Sequence, residues 1–499
     1  MKKISVILFL AVSLVGLSAQ TNDPAVRPMS LTDCFTEALK HNLNVQIEQT
    51  VPQISLYNLQ SAYGGYDPQF VLGGSHSYND SGAYLDQSGN FTLPTINNQN
   101  SFNSGFTGAT PWGMNYNLGG NIYEQHVSKT FSTNFLTGDS SSGAVGLSVT
   151  QPLLKNFWID NNRLTIQINR TQLKISEQAL RGQIITTVTA VENAYYELIF
   201  ARENVNVEQE SLVLAQTQRD QDKQRVQVGS LAPLDVQQDE AQVAQSRANL
   251  IAAENTLSID QNTLKNLLTD MYSQWHDVYI QPTASLVAER QLFDVQDSWN
   301  KGMTERPDLV QARLSVEQQG IELKYYRNQL FPEVDLIGSY GFNGSGNEYR
   351  DSFSQINDGS RPYYSYGGQL TIPLSNAKAR NNLKSGKATE KQLLLQLKQL
   401  EQNVMVDIDN AVKAAQSAWE SADATKSART YAEAALDAEQ KKYAVGKSTT
   451  FTVLQLQNNL TSARSQEIRA LANYNQALAN LAAAEGSTLQ RHNLDVEVK

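Results

Sequence analysis

The 499 residues exceed what one compact core holds, and the length suggests about three folding units. Against 40 Lys and Arg stand 50 Asp and Glu, a formal charge of −10; an acidic chain with no basic stripe excludes nucleic acid or anionic lipid as a partner held by surface charge. Hydrophobic residues make up 40% and charged residues only 18%, so neutral polar side chains fill the difference, which excludes both a disordered polyampholyte and a helical membrane protein.

Residues 1–19 have the layout of an export signal: Lys2 and Lys3, an apolar run from Ile4 to Leu17, then Ser18 and Ala19. The run is shorter than the ~20 residues a bilayer span needs. Cleavage is expected after Ala19. The only cysteine is Cys34, so the exported chain holds no intrachain disulfide and no thiolate metal cluster. No later run of 18 apolar residues appears, and entry into a membrane would have to be by β-strands.

In chain order, the first strands are predicted near 68–80 and 143–152. Phe70, Leu72 and Tyr78 share one face of the former, and Val145, Leu147 and Val149 share one face of the latter. Between them, residues 79–143 are rich in Ser, Asn, Gly and Thr and read as a surface loop. Within that loop, Gly113 to Tyr123 suggest an extra hairpin that either joins a barrel or caps it. From Leu164 to Asp270 almost no Pro or Gly interrupts the helical pattern except between Gly229 and Pro233. Val188, Val191, Tyr195, Leu198, Val205 and Leu212 carry the seam of a coiled coil. An unbroken helix over residues 152–228 would reach roughly 110 Å, so breaks are expected, for example near Gly182. Gly229 suits a left-handed helix end and Pro233 the next helix's first turn.

The second half repeats the first. Val226 to Val236, with Gly229 and Asp235, matches Tyr443 to Val453, with Gly446 and Thr452, at an offset of 217. Pro68 pairs with Pro332 at an offset of 264 and Pro152 with Pro373 at 221, so the first copy carries 43 extra residues between Pro68 and Pro152. Residues 31–285 and 291–487 are therefore read as two copies of one unit, followed by a tail at 488–499. The second copy has strands near 332–342 and 363–373. Its helical seam runs Leu393, Leu397, Leu400, Val404, Ile408, Ala411, Ala415 and Ala418, and its tip lies near 446–452, where Ser448 or Thr449 suits an N-cap.

Catalytic and metal patterns are missing from the sequence. His41, His76, His126, His276 and His492 are scattered without ligand spacing. Val445 to Ser448 superficially resembles a phosphate loop, but the glycine that pattern needs is Lys441. Carboxylate pairs such as Asp220 and Asp222 read as a solvated helix face. Neither enzymatic activity nor a cofactor or metal is expected.

A secreted, duplicated chain in which each copy runs helix, strand, long connection, strand and long helical hairpin resembles the TolC-type outer-membrane efflux proteins over roughly residues 31–487. The two Val-Gly tips and the Pro-flanked strands carry the resemblance most specifically. It implies a mainly α fold with a β-barrel part: a homotrimer to which each chain gives four membrane strands, with the helices forming a periplasmic tunnel below the outer-membrane lipid. It implies docking of a periplasmic adaptor protein, coupled to an inner-membrane pump, at Val228, Gly229, Leu231, Val445 and Gly446. It also places a gate latch at Asp235 and Tyr443, although Asp235 is equally suited to a plain helix start. The family's reinforcing arginine falls at Ser448 and its threonine partner at Leu234; Lys447 is an adjacent cation. Two acidic positions that ring the family's entrance fall at Thr452 and Gln455. The competing readings are a periplasmic coiled-coil scaffold without a pore and an exported hydrolase seated in residues 79–142.

Overall fold

A computed structural model describes residues 25–494 except 86, 90, 132 and 133. The expected export signal lies outside the described residues, as does the end of the tail.

Strand β1 (Ala25–Met29) leads into helices α1 (Leu31–His41) and α2 (Leu43–Tyr63), and a 3-10 turn at Gly64–Tyr66 delivers the chain to β2 (Gln69–Ser81). A small hairpin, β3 (Tyr84–Leu85) with β4 (Phe91–Thr92), precedes three long strands: β5 (Thr95–Ala109), β6 (Asn115–Phe131) and β7 (Asn134–Pro152). The first helical hairpin follows, α3 (Asn161–Gln227) and α4 (Pro233–Leu268). Then come α5 (Tyr272–Trp275), β8 (Val278–Pro282), α6 (Val295–Glu305) and α7 (Pro307–Asn328). Strands β9 (Glu333–Gly346) and β10 (Pro362–Thr371) flank α8 (Tyr349–Asn357), and α9 (Ala377–Ala444), α10 (Thr450–Glu485) and α11 (Thr488–Arg491) close the chain. The long helices of the two halves have nearly equal lengths, 67 and 36 residues for α3 and α4 against 68 and 36 for α9 and α10.

Local chemistry sets the helix ends. Ser30 and Asp33 form a capping box at α1, with Asp33 N–H donating to Ser30 Oγ at 3.2 Å and Ser30 N–H to Asp33 Oδ2 at 2.9 Å. Asn42 ends α1 and caps α2, while Asp160 accepts from Arg163 N–H at 2.8 Å to start α3. Helix α3 continues through Gly182 without the expected break, over about 100 Å. A lone glycine weakens a helix by only about 1 kcal/mol, and here it faces Pro307 at the start of α7, so packing against a second helix outweighs that loss.

The core lies at the waist. Met29, Phe35, Ile184, Val188, Tyr195, Leu198, Leu264 and Ile280 bury one another where the parallel pair β1–β8 meets α1, α3 and α4. The Tyr195 hydroxyl donates to Met29 O at 3.0 Å and accepts from Thr283 and Ala284 N–H at 3.1 and 3.2 Å. Cys34 is buried in the same cluster, where loss of solvent pushes its thiol up to about 12 and leaves it unreactive. A second cluster joins Leu309 of α7 to Val404, Ile408 and Val412 of α9 and Tyr474 of α10.

Beyond the helices stands one antiparallel sheet of six strands, in the order β10-β9-β7-β6-β5-β2. This corrects the expected four strands per chain: within the segment read as a loop with an extra hairpin at Gly113 to Tyr123, β5 and β6 form a long hairpin of the sheet, and residues 113–123 fall at its turn and the start of β6. The reason is the polar face of the sheet. In register, Phe70, Phe106, Leu118, Leu147, Tyr340 and Tyr364 form one row across all six strands, and each is more than two-fifths exposed. Most alternate positions are small or polar, such as Asn103, Asn117, Ser148 and Ser339, with Val71, Ile337 and Tyr363 among them. A composition rule for soluble loops reads such strands as loop. The helical-side connection at 110–114 is short, and two of the connections at the far end are longer, residues 82–94 and 347–361, whereas two residues join β6 to β7. Among the described residues no helix is long and apolar enough to cross a membrane.

Candidate functional site: the helical tips

Both hairpins end in the same backbone motif. Gly229 and Gly446 each adopt φ +75°. Ser230 N–H donates to Arg225 O at 2.9 Å, and Lys447 N–H donates to Lys442 O at 2.9 Å, the six-residue closure that follows a left-handed helix end. A Cβ at either glycine would meet nothing within 4 Å, so the backbone angle and not crowding selects glycine. Pro233 starts α4, and Thr449 caps α10 by accepting from Thr452 N–H at 3.3 Å. Val228 and Val445 are 79% and 69% exposed, and Leu234 and Phe451 add to this apolar rim. Leu231 is half-buried.

Behind the rim sits a buried polar cluster that ties four helices together. The Tyr443 hydroxyl of α9 donates to Asp222 Oδ1 of α3 at 2.7 Å and lies 2.9 Å from Thr450 Oγ1 of α10. Thr450 also donates to Asp222 Oδ2 at 3.3 Å, and Gln218 Nε2 donates to the same oxygen at 2.9 Å. The Arg225 guanidinium lies over the Tyr443 ring, 4.4 Å from its centroid. Burial pushes the Tyr443 phenol up to about 12. Asp222 and Asp239 are fully buried. Neither oxygen of Asp239 meets a hydrogen-bond donor. Its carboxyl is raised from 3.8 to about 7, first by burial, then by the charge of Asp222 and hydrogen bonding to it, then by Asp235. Two buried carboxyls side by side are compatible when one keeps its proton. Nearby, Gln242 of α4 and Asn458 of α10 exchange amide hydrogen bonds at 2.7 and 3.0 Å.

Within the chain, Tyr443 therefore pairs with Asp222, whereas the sequence pointed to Asp235. Asp235 lies in the first turn of α4, half-buried, where an acid suits the helix dipole. Asp222 is the opposite of the solvated residue expected there. A signal was present: steps of 3, 3 and 4 from Leu212 land on Ala215, Gln218 and Asp222, so the buried stripe runs on into polar residues. Ser448 donates to Glu439 Oε1 at 2.6 Å and so is tied back to α9; that bond and the one from Lys442 hold the Glu439 carboxyl below its ordinary range. Thr452 is half-buried beside its cap, and Gln455 is exposed.

The family model described as outer membrane efflux protein matches residues 113–269 and 301–487, which takes in both long hairpins, both tips and the strands β6 and β7. The chain belongs to the outer membrane efflux protein family. Among relatives of this family, the outer membrane efflux protein BepC of Brucella suis is 22% identical over 343 residues, 68% of this chain and 71% of that protein. The outer membrane protein TolC of Vibrio cholerae is 25% identical over 317 residues, 62% of this chain and 69% of that protein. Among solved structures, the CmeC outer membrane channel of Campylobacter jejuni superposes with a TM-score of 0.66 at 14% identity, covering 92% of this chain and 86% of that one. The outer membrane protein VceC of Vibrio cholerae gives 0.66 at 17% identity, covering 91% and 96%. These likenesses establish the fold of an outer membrane efflux protein for the chain.

Proposed function

We propose that three copies of this chain form a passive duct through the outer membrane, with the helices in the periplasm. A partner pump of the inner membrane drives it through a periplasmic adaptor. The observation that carries this reading is the joining, in one chain, of helical hairpins about 100 Å long to an open sheet whose apolar face is exposed from edge to edge. Such a sheet needs lipid against that face and further strands at its edges. A periplasmic scaffold without a pore would leave both unmet.

In this reading the exposed Val228–Gly229 and Val445–Gly446 tips, with Leu231, receive the adaptor, because they offer apolar contacts on a rigid turn. The Asp222–Tyr443–Thr450 cluster acts as the latch that holds the first hairpin against the second, and Asp235 and Ser448 stand beside it. Thr452 and Gln455 line the entrance without carboxylates, so block by cations is weak. Membrane extraction, mass measurement and current recording in a planar bilayer test the proposal. Trimer mass with stable conductance supports it. A protein soluble without detergent and silent in the bilayer refutes it.

A further inference from the structure

The hairpin β5–β6 is dispensable to the topology of the sheet. Strand β2 runs away from the helices and β7 returns toward them, so these two could pair directly as antiparallel neighbours. The hairpin is inserted between them.

Two observations place it in a barrel wall and not over the mouth. The first is the length of its ladders: β5 follows β2 from Gln69↔Thr107 to Ser81↔Thr95, and β6 follows β7 from Asn115↔Thr150 to Phe131↔Asn134. The second is its two-faced pattern. Phe106 stands opposite Phe70 with ring centroids 5.0 Å apart, and Leu118 stands opposite Leu147, both on the exposed apolar face. On the other face Asn103, Asn117 and Asn121 help line a concavity of about 380 Å³ together with Ser148. A cap has no reason to repeat the alternation of a wall, with one face for lipid and the other for water.

The sheet ends in two strands, β2 and β10, that each use one edge only. In lipid, an unpaired strand edge costs several kcal/mol for each lost hydrogen bond. A second copy of this chain offers the missing partner. We propose that the assembled barrel has eighteen strands, six from each of three chains, closed where β2 of one copy pairs with β10 of the next. This rests on the trimeric-duct reading above.

The dimensions follow. At a strand spacing of about 4.8 Å and a tilt of about 40°, each strand takes up about 6.3 Å of perimeter. Eighteen strands then enclose about 113 Å, a backbone diameter of about 36 Å, whereas twelve enclose about 75 Å and a diameter of about 24 Å. Below the sheet, α2 packs on α3, α3 on α7 and α7 on α9, so each chain sets four helices side by side. Twelve helices at about 9–10 Å spacing give about 110–120 Å. The added hairpin matches the girth of the barrel to that of the helical tube, and the duct passes from one to the other without a neck.

The test compares the full chain with a variant lacking residues 95–131, in which β2 can meet β7. Both are purified, weighed as oligomers and reconstituted, and polyethylene glycols of graded size are added on the side opposite the helical tips. Two trimers, with a larger exclusion size for the full chain than for the variant, support the inference. Two trimers with equal exclusion sizes overturn it and leave the duct standing. A full chain that forms no conducting trimer removes the duct reading and this one together. If the variant does not assemble, the strand count of the full trimer in nanodiscs, read by electron cryomicroscopy, decides: eighteen supports the inference and twelve overturns it.

Discussion

Replacing Asp239 by asparagine probes the tip cluster through its weakest point, the carboxyl that no donor serves. Asp239 titrates near 7 in the folded tip against 3.8 when exposed. Its folded pKa is the higher of the two, so the closed tip binds more protons than the open one between those values. The stabilisation is complete below pH ~4, declines as the pH rises and is gone above pH ~7. From pH 5 to pH 8 the declining part spans about two units, a ceiling of about 3 kcal/mol at about 1.4 kcal/mol per unit. Relaxation and water entry around a buried charge offset part of such a penalty, so about half of that, ~1.5 kcal/mol per chain, is the working figure. Asparagine has nearly the same shape, does not ionise, and offers an N–H to Asp222. The assay is amide hydrogen exchange over residues 218–240 of the assembled protein, with variant and wild type compared at the same pH. The ratio of protection factors, variant over wild type, should rise about tenfold between pH 5 and pH 8. Ratios that stay equal across that range would refute a proton held on Asp239 in the closed tip.

Tyr443→Phe removes a donor from buried Asp222 and a partner from Thr450; a loss of about 1.5–3 kcal/mol per chain is expected, read as a rise in single-channel conductance. Tyr195→Phe removes the hydroxyl that bridges Met29 O to the Thr283 and Ala284 N–H groups; Thr283 N–H keeps its 3.2 Å bond to Met29 O, and Ala284 N–H is left unserved. Thermal unfolding in detergent should report a loss of about 2 kcal/mol with the conductance unchanged. Gly105→Val places a Cβ 2.8 Å from Gly119 Cα and 3.0 Å from Leu118 O, between two strands that cannot part. The variant should yield far less heat-resistant oligomer on gels, whereas Gly367→Val, with open space around it, should not.

What the sequence disclosed was what periodicity can carry. The seams through Val188 to Leu198 and Val404 to Ala415 are buried along the long helices, and Gly229 and Gly446 sit where a left-handed residue is needed. Strands β9 and β10 were legible because aromatic and aliphatic residues alternate along them with little dilution. Strands β5 and β6 were legible only as a possible hairpin at Gly113 to Tyr123, since Gly, Ser and Asn occupy one face and part of the other, where Ile96, Phe102, Phe106, Tyr116, Leu118 and Ile122 are spread thinly. At the tip, the acid chosen from sequence, Asp235, lies 13 positions beyond Asp222, the acid that bonds Tyr443, and on the other side of the turn. Asp235 and Asp222 are both acids near a turn, and only burial separates them. Burial at a four-helix junction is a property of the assembled hairpins, and the sequence marks it only as the Leu212 stripe running on into Gln218 and Asp222.

The parallel pair at the waist carries a consequence for biogenesis. Strand β1 finds its partner 253 positions downstream, Ala25 against Val278. Closing so long a loop is entropically slow, and the partner does not exist until α3 has gone out to its tip and α4 has come back. In a chain exported from its N-terminus, Met29 and Phe35 emerge early and stay uncovered until that round trip is complete. Sealing of the waist therefore reports that the first hairpin has been delivered at full length; a chain arrested anywhere within α4 keeps its apolar belt of β1 and α1 open and offers it to the chaperones and proteases of the compartment it has entered.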